Sequence, residues 1–242
     1  MSSPTAPTTP PPTVAVESAC DSLGATSSAQ ILNGRDCSAG STPVVLLNMR
    51  DATGFNLGSC SGTVISERAI LTAAHCLDDE VRIVRVFVGS GLQIDAVSFA
   101  AHPAYRGETA NDVGVVLMRE PIGRRPMPLL LSRDARVGET AIVTGWGRNQ
   151  NDVPSTLRAG TTVITAVSGV LETQFGSNVS SICSGDSGGP ILLSEAGAWA
   201  IGGVISATSD NVCNTGTNFY VPLRAAGIAS FIIGIAPDAV QR

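Results

Sequence analysis

From Val44 onward the chain is cut into short β-branched runs, each closed by Gly, Asn, Asp or Pro: "PVVLLNM", "GTVIS", "VRIVRVFVG", "DVGVVLM", "TAIVTGWG", "TTVITAVS", "GPILL", "AIGGVIS" and "NFYVPL". Runs of this length and composition read as strands, most of them too short for ordinary helices. They predict an all-β protein, either a sandwich or a pair of barrels. The exception is "LRAAGIASFIIG", where Leu223, Ile228, Phe231 and Ile232 form an approximate helical stripe and predict a C-terminal helix over about 223–235. "EPIGRRPMPLL", at 120–130, reads as a connector between two halves, and no internal repeat is evident.

The beginning of the chain is different. "MSSPTAPTTPPPTVAVESA", residues 1–19, is rich in Pro, Thr and Ser, buries too little apolar surface to offset its ordering entropy, and reads as an extended tether. The net charge of -5 and the lack of a basic run longer than Arg124-Arg125 argue against a nucleic acid or an anionic membrane as partner. No apolar stretch approaches the ~18 residues of a spanning helix, and Met1 does not open a signal-peptide pattern, so an export signal is expected to have been removed or to lie outside this chain. Six cysteines without a CxxC pair fit three disulfides better than a zinc site, which points to an oxidising, extracytoplasmic compartment. No metal-ligand cluster or phosphate loop is visible, so no cofactor is expected.

"CSGDSGGP", residues 183–190, sets a serine among glycines. Alone it could be a Gly-rich turn; a nucleophile requires more, an exposed hydroxyl on a tight turn with backbone N–H groups aimed at the reacting oxygen, and glycines on both sides permit that backbone geometry. A base must stand nearby, and there are only two histidines to choose from. His75, in "LTAAHC", follows a small apolar run, whereas His102, in "AAHPAY", sits in a turn before proline and reads as a surface residue. Asp112, immediately before the apolar "VGVVLM", is the aspartate best placed to enter the core and orient an imidazole. Asp78, Asp79, Asp134 and Asp152 lie in polar neighbourhoods and read as solvated.

"LTAAHC", "NDVGVVLM", "GWG" at 145–147 and "GDSGGP", in that order, closely resemble the chymotrypsin-like serine peptidases from Ile31 to about residue 235. The resemblance implies two six-stranded antiparallel Greek-key β-barrels with a triad in the cleft between them. The N-terminal barrel would cover about 31–125, the C-terminal barrel about 126–222 and the helix about 223–235, within a peptidase domain of 31–242. It implies Ser187 as nucleophile, His75 as base and then acid, Asp112 as orienting carboxylate, and the amides of Gly185 and Ser187 as oxyanion donors. Ser206 matches the serine that packs beside the triad aspartate. The same resemblance pairs Cys60 with Cys76 and Cys183 with Cys213; Cys20 and Cys37 remain and are expected to pair with each other.

"ILNGRDC" resembles the mature start of this family, in which a cut frees an amine that turns inward to the aspartate before the nucleophile, here Asp186. Residues 1–30 are then tether and activation pro-segment, cleaved between Gln30 and Ile31 and retained by a Cys20–Cys37 bridge. Two departures stand out. Gln30 replaces the Arg or Lys common before such junctions, and Gly58 stands where many relatives carry a histidine that holds the zymogen aspartate.

By the same resemblance Ser181 lies at the base of the primary pocket, Thr208 and Asn218 at its walls, and Ile182 adds apolar bulk near the base. An uncharged, narrowed pocket suggests a small or neutral polar residue, with Gln also fitting and thus self-activation after Gln30. The expected partners are protein or peptide substrates, an activating protease and protein inhibitors, and the chain is expected to be a monomer. Two alternatives stand beside this reading. One is a catalytically silent homologue acting as a binding module, and the other is Arg/Lys cleavage using Asp210.

Overall fold

The computed structural model describes residues 20, 27–31, 34–40, 42–89, 91–148, 156–176, 179–210, 213 and 215–242, with backbone alone for 27–31, 34 and 35. The tether expected over 1–19 lies outside the described residues. A hairpin comes first, β1 (Ser27–Ile31) and β2 (Gly34–Cys37). The N-terminal barrel follows with β3 (Val44–Arg50), β4 (Asn56–Val64), β5 (Ala69–Thr72), β6 (Ile83–Phe87), β7 (Gln93–Asp95), β8 (Ser98–Ala101) and β9 (Gly114–Leu117). The C-terminal barrel has β10 (Thr140–Gly145), β11 (Arg158–Val167), β12 (Leu171–Gln174), β13 (Pro190–Glu195), β14 (Ala198–Thr208) and β15 (Thr217–Pro222), and the chain ends with α1 (Ile228–Ile235).

Both barrels are antiparallel and close as six-membered rings. In the second, the order β11-β10-β13-β14-β15-β12 returns on itself because β12 also pairs with β11. The first runs β7-β6-β3-β4-β5-β9-β8, and its closure is made by one bent segment. Ala96 N donates to Val84 O at 2.9 Å and Val97 N to Leu117 O at 2.9 Å, so β7 and β8 are two halves of a strand that bonds both edges. Closure leaves neither sheet with a long free edge.

Burial follows the pleat. β6 alternates, with Val84 and Val86 inside, while Val44 to Met49 of β3 is buried on both faces because one side fills the barrel and the other meets the neighbouring barrel. Trp146 joins the two halves, its Nε1 donating to Val44 O at 3.3 Å.

Two expectations are corrected in detail. The helix begins at Ile228 rather than near 223, because Gly227 at its N-cap takes φ 85° and the preceding residues form turns. Gly34–Cys37 does not join the N-terminal barrel but pairs with Arg158–Gly160 of β11, so the chain enters its first barrel only at Val44. Among the described residues no helix is long and apolar enough to cross a membrane.

Candidate active site

The β5–β9 register sets Thr72 opposite Gly114. Continuing past these strand ends by three residues and back by two brings His75, on a short 3₁₀ turn (Ala74–Leu77), against Asp112. His75 N donates to Asp112 Oδ1 at 2.8 Å, and His75 Nδ1 lies 2.7 Å from Oδ2. Ser206 Oγ donates to the same Oδ2 at 2.6 Å. The Asp112 side chain is 2% exposed and the His75 side chain 33%, so the imidazole reaches solvent while the carboxylate is enclosed. An Nδ1–H donated to Asp112 leaves Nε2 with its lone pair, ready to take a proton.

Ser187 is brought in from the other barrel. Its carbonyl accepts Ser61 N at 2.8 Å and lies 3.9 Å from the sulfur of Cys76, the residue after His75. Gly188 N donates to Ile205 O, and Ile205 N to Gly189 O, which seats the serine turn beside Ser206. Gly188 (φ 81°) has no room for a side chain, since a Cβ there would lie 2.1 Å from Thr72 Oγ1. Among the described residues neither the Gly185 nor the Ser187 amide donates to a protein acceptor, which leaves both available to an oxyanion.

Asp186 explains the two glycines of "GWG". A Cβ on Gly145 would sit 2.3 Å from Asp186 Oδ1, and one on Gly147 would sit 2.5 Å from its carboxyl carbon. Oδ1 accepts Gly147 N at 2.8 Å and Oδ2 accepts Cys183 N at 2.9 Å. The residue keeps some exposed surface, but its carboxyl group is enclosed. Burial pushes it up to about 6, against the opposing pull of the two amides and the Arg158 charge. Ile31 is elsewhere, paired with Gly34 in the β1–β2 hairpin, so among the described residues no ammonium group meets Asp186. Gly58, with φ 152°, lies near Met49 and leaves the histidine position empty of side chain.

The expected pocket residues are brought together. Ser181 Oγ donates to Asn218 Oδ1 at 3.1 Å, Asn218 Nδ2 donates to Thr173 Oγ1 at 3.1 Å, and Thr173 Oγ1 meets the Tyr220 hydroxyl at 2.9 Å. All four are buried, and burial pushes the Tyr220 phenol up. Thr208 faces Asn218 across the β14–β15 register. Ile182 packs into the C-terminal barrel core with Leu171, Ile205 and Tyr220. Asp210 is exposed, in the loop beyond Thr208, and His102 sits at the surface turn with its ring 4.9 Å from that of Phe231. Asp78 and Asp79 are exposed, Asp134 is an exposed partner of Arg224, and Asp152 lies outside the described residues.

All three disulfides form as expected: Cys20–Cys37, Cys60–Cys76 and Cys183–Cys213. The sulfurs of Cys60 and Cys76 lie with His75 in a group that could suggest metal binding, but the disulfide consumes both thiolates.

Sequence reading missed three residues. Ser61 contacts both Gly185 and Ser187. Arg158, 5% exposed, donates through Nε to Asp36 Oδ1 at 3.0 Å and through Nη1 to Gly147 O at 2.8 Å. Thr173 completes the pocket chain. A lone charge heading the apolar "RAGTTV" was the available signal for Arg158; Thr173 gave none.

The family model described as Trypsin matches residues 31–232. Phenoloxidase-activating factor 3 of Holotrichia diomphalia is 27% identical over 237 residues, covering 77% of this chain and 66% of that protein. Vitamin K-dependent protein C of Rattus norvegicus is 26% identical over 216 residues, covering 73% and 46%. Trypsin epsilon of Drosophila erecta is 27% identical over 193 residues, covering 69% and 74%. The chain spans less than two thirds of the length of the first two. A solved structure titled as HL collagenase shares the fold with a TM-score of 0.72 at 22% identity, over 86% of this chain and 99% of that one.

Proposed function

This chain belongs to the trypsin family, and on that premise we propose that it is a secreted serine endopeptidase, made as a zymogen, that hydrolyses peptide bonds through an acyl-enzyme on Ser187. The observation that carries the reading is the paired contact of Asp112 Oδ2 with His75 Nδ1 and Ser206 Oγ at 2.7 and 2.6 Å. A binding module has no need of a buried carboxylate dedicated to one half-exposed imidazole.

Ser187 Oγ adds to the substrate carbonyl carbon as His75 Nε2 takes the hydroxyl proton. The oxygen gains charge between the amides of Gly185 and Ser187, each worth about 3 kcal/mol to the barrier. His75 then gives its proton to the leaving amine, the C–N bond breaks, and the acyl group stays on Ser187. Water repeats the sequence, with His75 again as base, and releases the acid. Asp112 holds the ring and offsets the imidazolium charge throughout.

Cleavage between Gln30 and Ile31 would free an ammonium for Asp186, a buried carboxyl that among the described residues feels the Arg158 charge but makes no ion-pair contact. The Cys20–Cys37 bridge would then hold the pro-segment, residues 1–30, on the mature domain. Three disulfides support an extracytoplasmic setting. Protein substrates, an activating protease and protein inhibitors are the partners this reading entails, for a monomeric domain of 31–242.

The pocket floor supports cleavage after small or neutral polar residues. Ser181 at the base and Asn218 at the wall bond to each other, Asn218 bonds on to Thr173, and no carboxylate stands among these three to pair with Arg or Lys. Hydrolysis of peptide anilides ending in Ala, Gln, Phe or Arg tests this directly. Ala and Gln substrates should turn over fastest with wild type, and none with Ser187→Ala. An Arg substrate hydrolysed tenfold faster than the Ala one would overturn the preference.

A further inference from the structure

Ser61 of β4 is fully buried, and every polar group it owns is engaged. Its amide donates to Ser187 O at 2.8 Å, its hydroxyl donates to Gly185 O at 2.9 Å and accepts from Trp146 N at 2.9 Å, and its carbonyl accepts Thr72 Oγ1 at 2.8 Å. A single residue of the N-terminal barrel therefore holds the carbonyls of both residues whose amides would face an oxyanion. Resting on the peptidase reading above, we propose that Ser61 is a positioning residue for the oxyanion site, its hydroxyl pinning the Gly185–Asp186 peptide, from whose Gly185 Cα the donor amide extends, against the barrel that carries His75.

The need for such an anchor follows from the chemistry of glycine. Gly185 adopts φ 96°, a conformation that side chains resist, and with no Cβ its own sterics restrain rotation little. Oxyanion stabilisation depends on donors fixed before charge develops, because donors that must reorient lose their advantage. Among the described residues, the Ser61 hydroxyl is the donor that holds the Gly185 carbonyl. Ser187 is restrained separately through the Ser61 amide, so the two donors are referenced to one point of β4. The hydroxyl also occupies the Trp146 N–H, next to the Gly147 amide that binds Asp186. Removing it would leave a buried donor and a buried acceptor unpaired beside the site.

The test uses the full chain matured at Ile31, comparing wild type, Ser61→Ala and Thr72→Val. The last breaks another buried bond to Ser61 without touching Gly185. Ser61→Ala should lower kcat about 10- to 50-fold, below the roughly 10²–10³ cost of losing an oxyanion donor outright, with KM within about twofold. Binding of a peptide aldehyde, whose hemiacetal oxygen occupies the oxyanion position, should weaken by the same factor, and Thr72→Val should change neither. If Ser61→Ala does not fold, Ser61→Cys takes its place, its weaker donor giving the same split at smaller size. Unchanged kcat and aldehyde affinity in a folded variant, or equal losses in Thr72→Val, would overturn the positioning role while leaving the peptidase reading intact. A matured wild type that hydrolyses nothing would overturn both.

Discussion

Ser206 Oγ and Asp112 Oδ2, 94 positions apart in sequence, lie 2.6 Å apart in the structure, and the same oxygen meets His75 Nδ1 at 2.7 Å. The arrangement separates two roles. Asp112→Asn would present an amide N–H to Nδ1 and enforce the wrong tautomer, lowering kcat about 10⁴-fold, the size found when the aspartate of a Ser-His-Asp triad is amidated. Ser206→Ala removes one donor from a buried carboxylate and should cost about 1–3 kcal/mol, seen as a lower denaturation midpoint together with a much smaller kcat loss.

Much of the fold is legible in the sequence. The β-branched runs singled out in the sequence coincide with β3, β4, β6, β9, β10, β11, β13, β14 and β15. The strands outside those runs are β1, β2, β5, β7, β8 and β12, each five residues or fewer. β5 is a buried "AILT" too brief to show a period, and β7–β8 is broken by a bend. The meeting of His75 with Asp112 and the three cysteine pairs were anticipated because the motifs that carry them are local. Ser61, Arg158 and Thr173 were not, because each acts through partners distant in sequence, such as the Ser61–Gly185 bond across 124 positions.

The pH dependence of the uncut chain should carry the mark of Asp186. Its carboxyl is raised to about 6, so between the ordinary aspartate value and 6 the folded form binds a proton that the unfolded form does not. Stability from this group is thus greatest below that window and falls as pH rises through 6. Thermal melts of uncut Ser187→Ala should drop between pH 5 and pH 8 by more than those of Ser187→Ala/Asp186→Asn. After cleavage the Ile31 ammonium would pair with Asp186 and reverse the sign of the difference.

On the proposed pocket reading, Asn218 limits how far a substrate side chain can enter. Asn218→Gly removes the side chain that bridges Ser181 and Thr173, leaving space that water or a longer substrate side chain can fill. The ratio of kcat/KM for Phe over Ala anilides should rise by at least about tenfold, the scale of burying an extra apolar group in an opened pocket. An unchanged ratio would place the size filter elsewhere.

Two glycines with similar backbone angles separate strain from crowding. Gly107, at φ 87°, has nothing within 4 Å of a would-be Cβ, so Gly107→Ala should cost about 1 kcal/mol, from backbone strain alone. Gly188, at φ 81°, would place that carbon 2.1 Å from Thr72 Oγ1 and 2.4 Å from Ser61 O. Gly188→Ala should therefore exceed about 4 kcal/mol, which is diagnostic of a specific steric failure, and yield little folded protein in an expression and melting comparison.

On the proposed reading Ser187 is a nucleophile activated by His75. The most direct test is covalent labelling of the folded chain, matured at Ile31, with a fluorophosphonate, read by intact mass and peptide mapping. One adduct per chain, on Ser187, lost in Ser187→Ala and slowed at least about 10³-fold in His75→Ala, is the result the structure calls for. A folded, matured chain that takes up no label, or one labelled equally fast without His75, would contradict it.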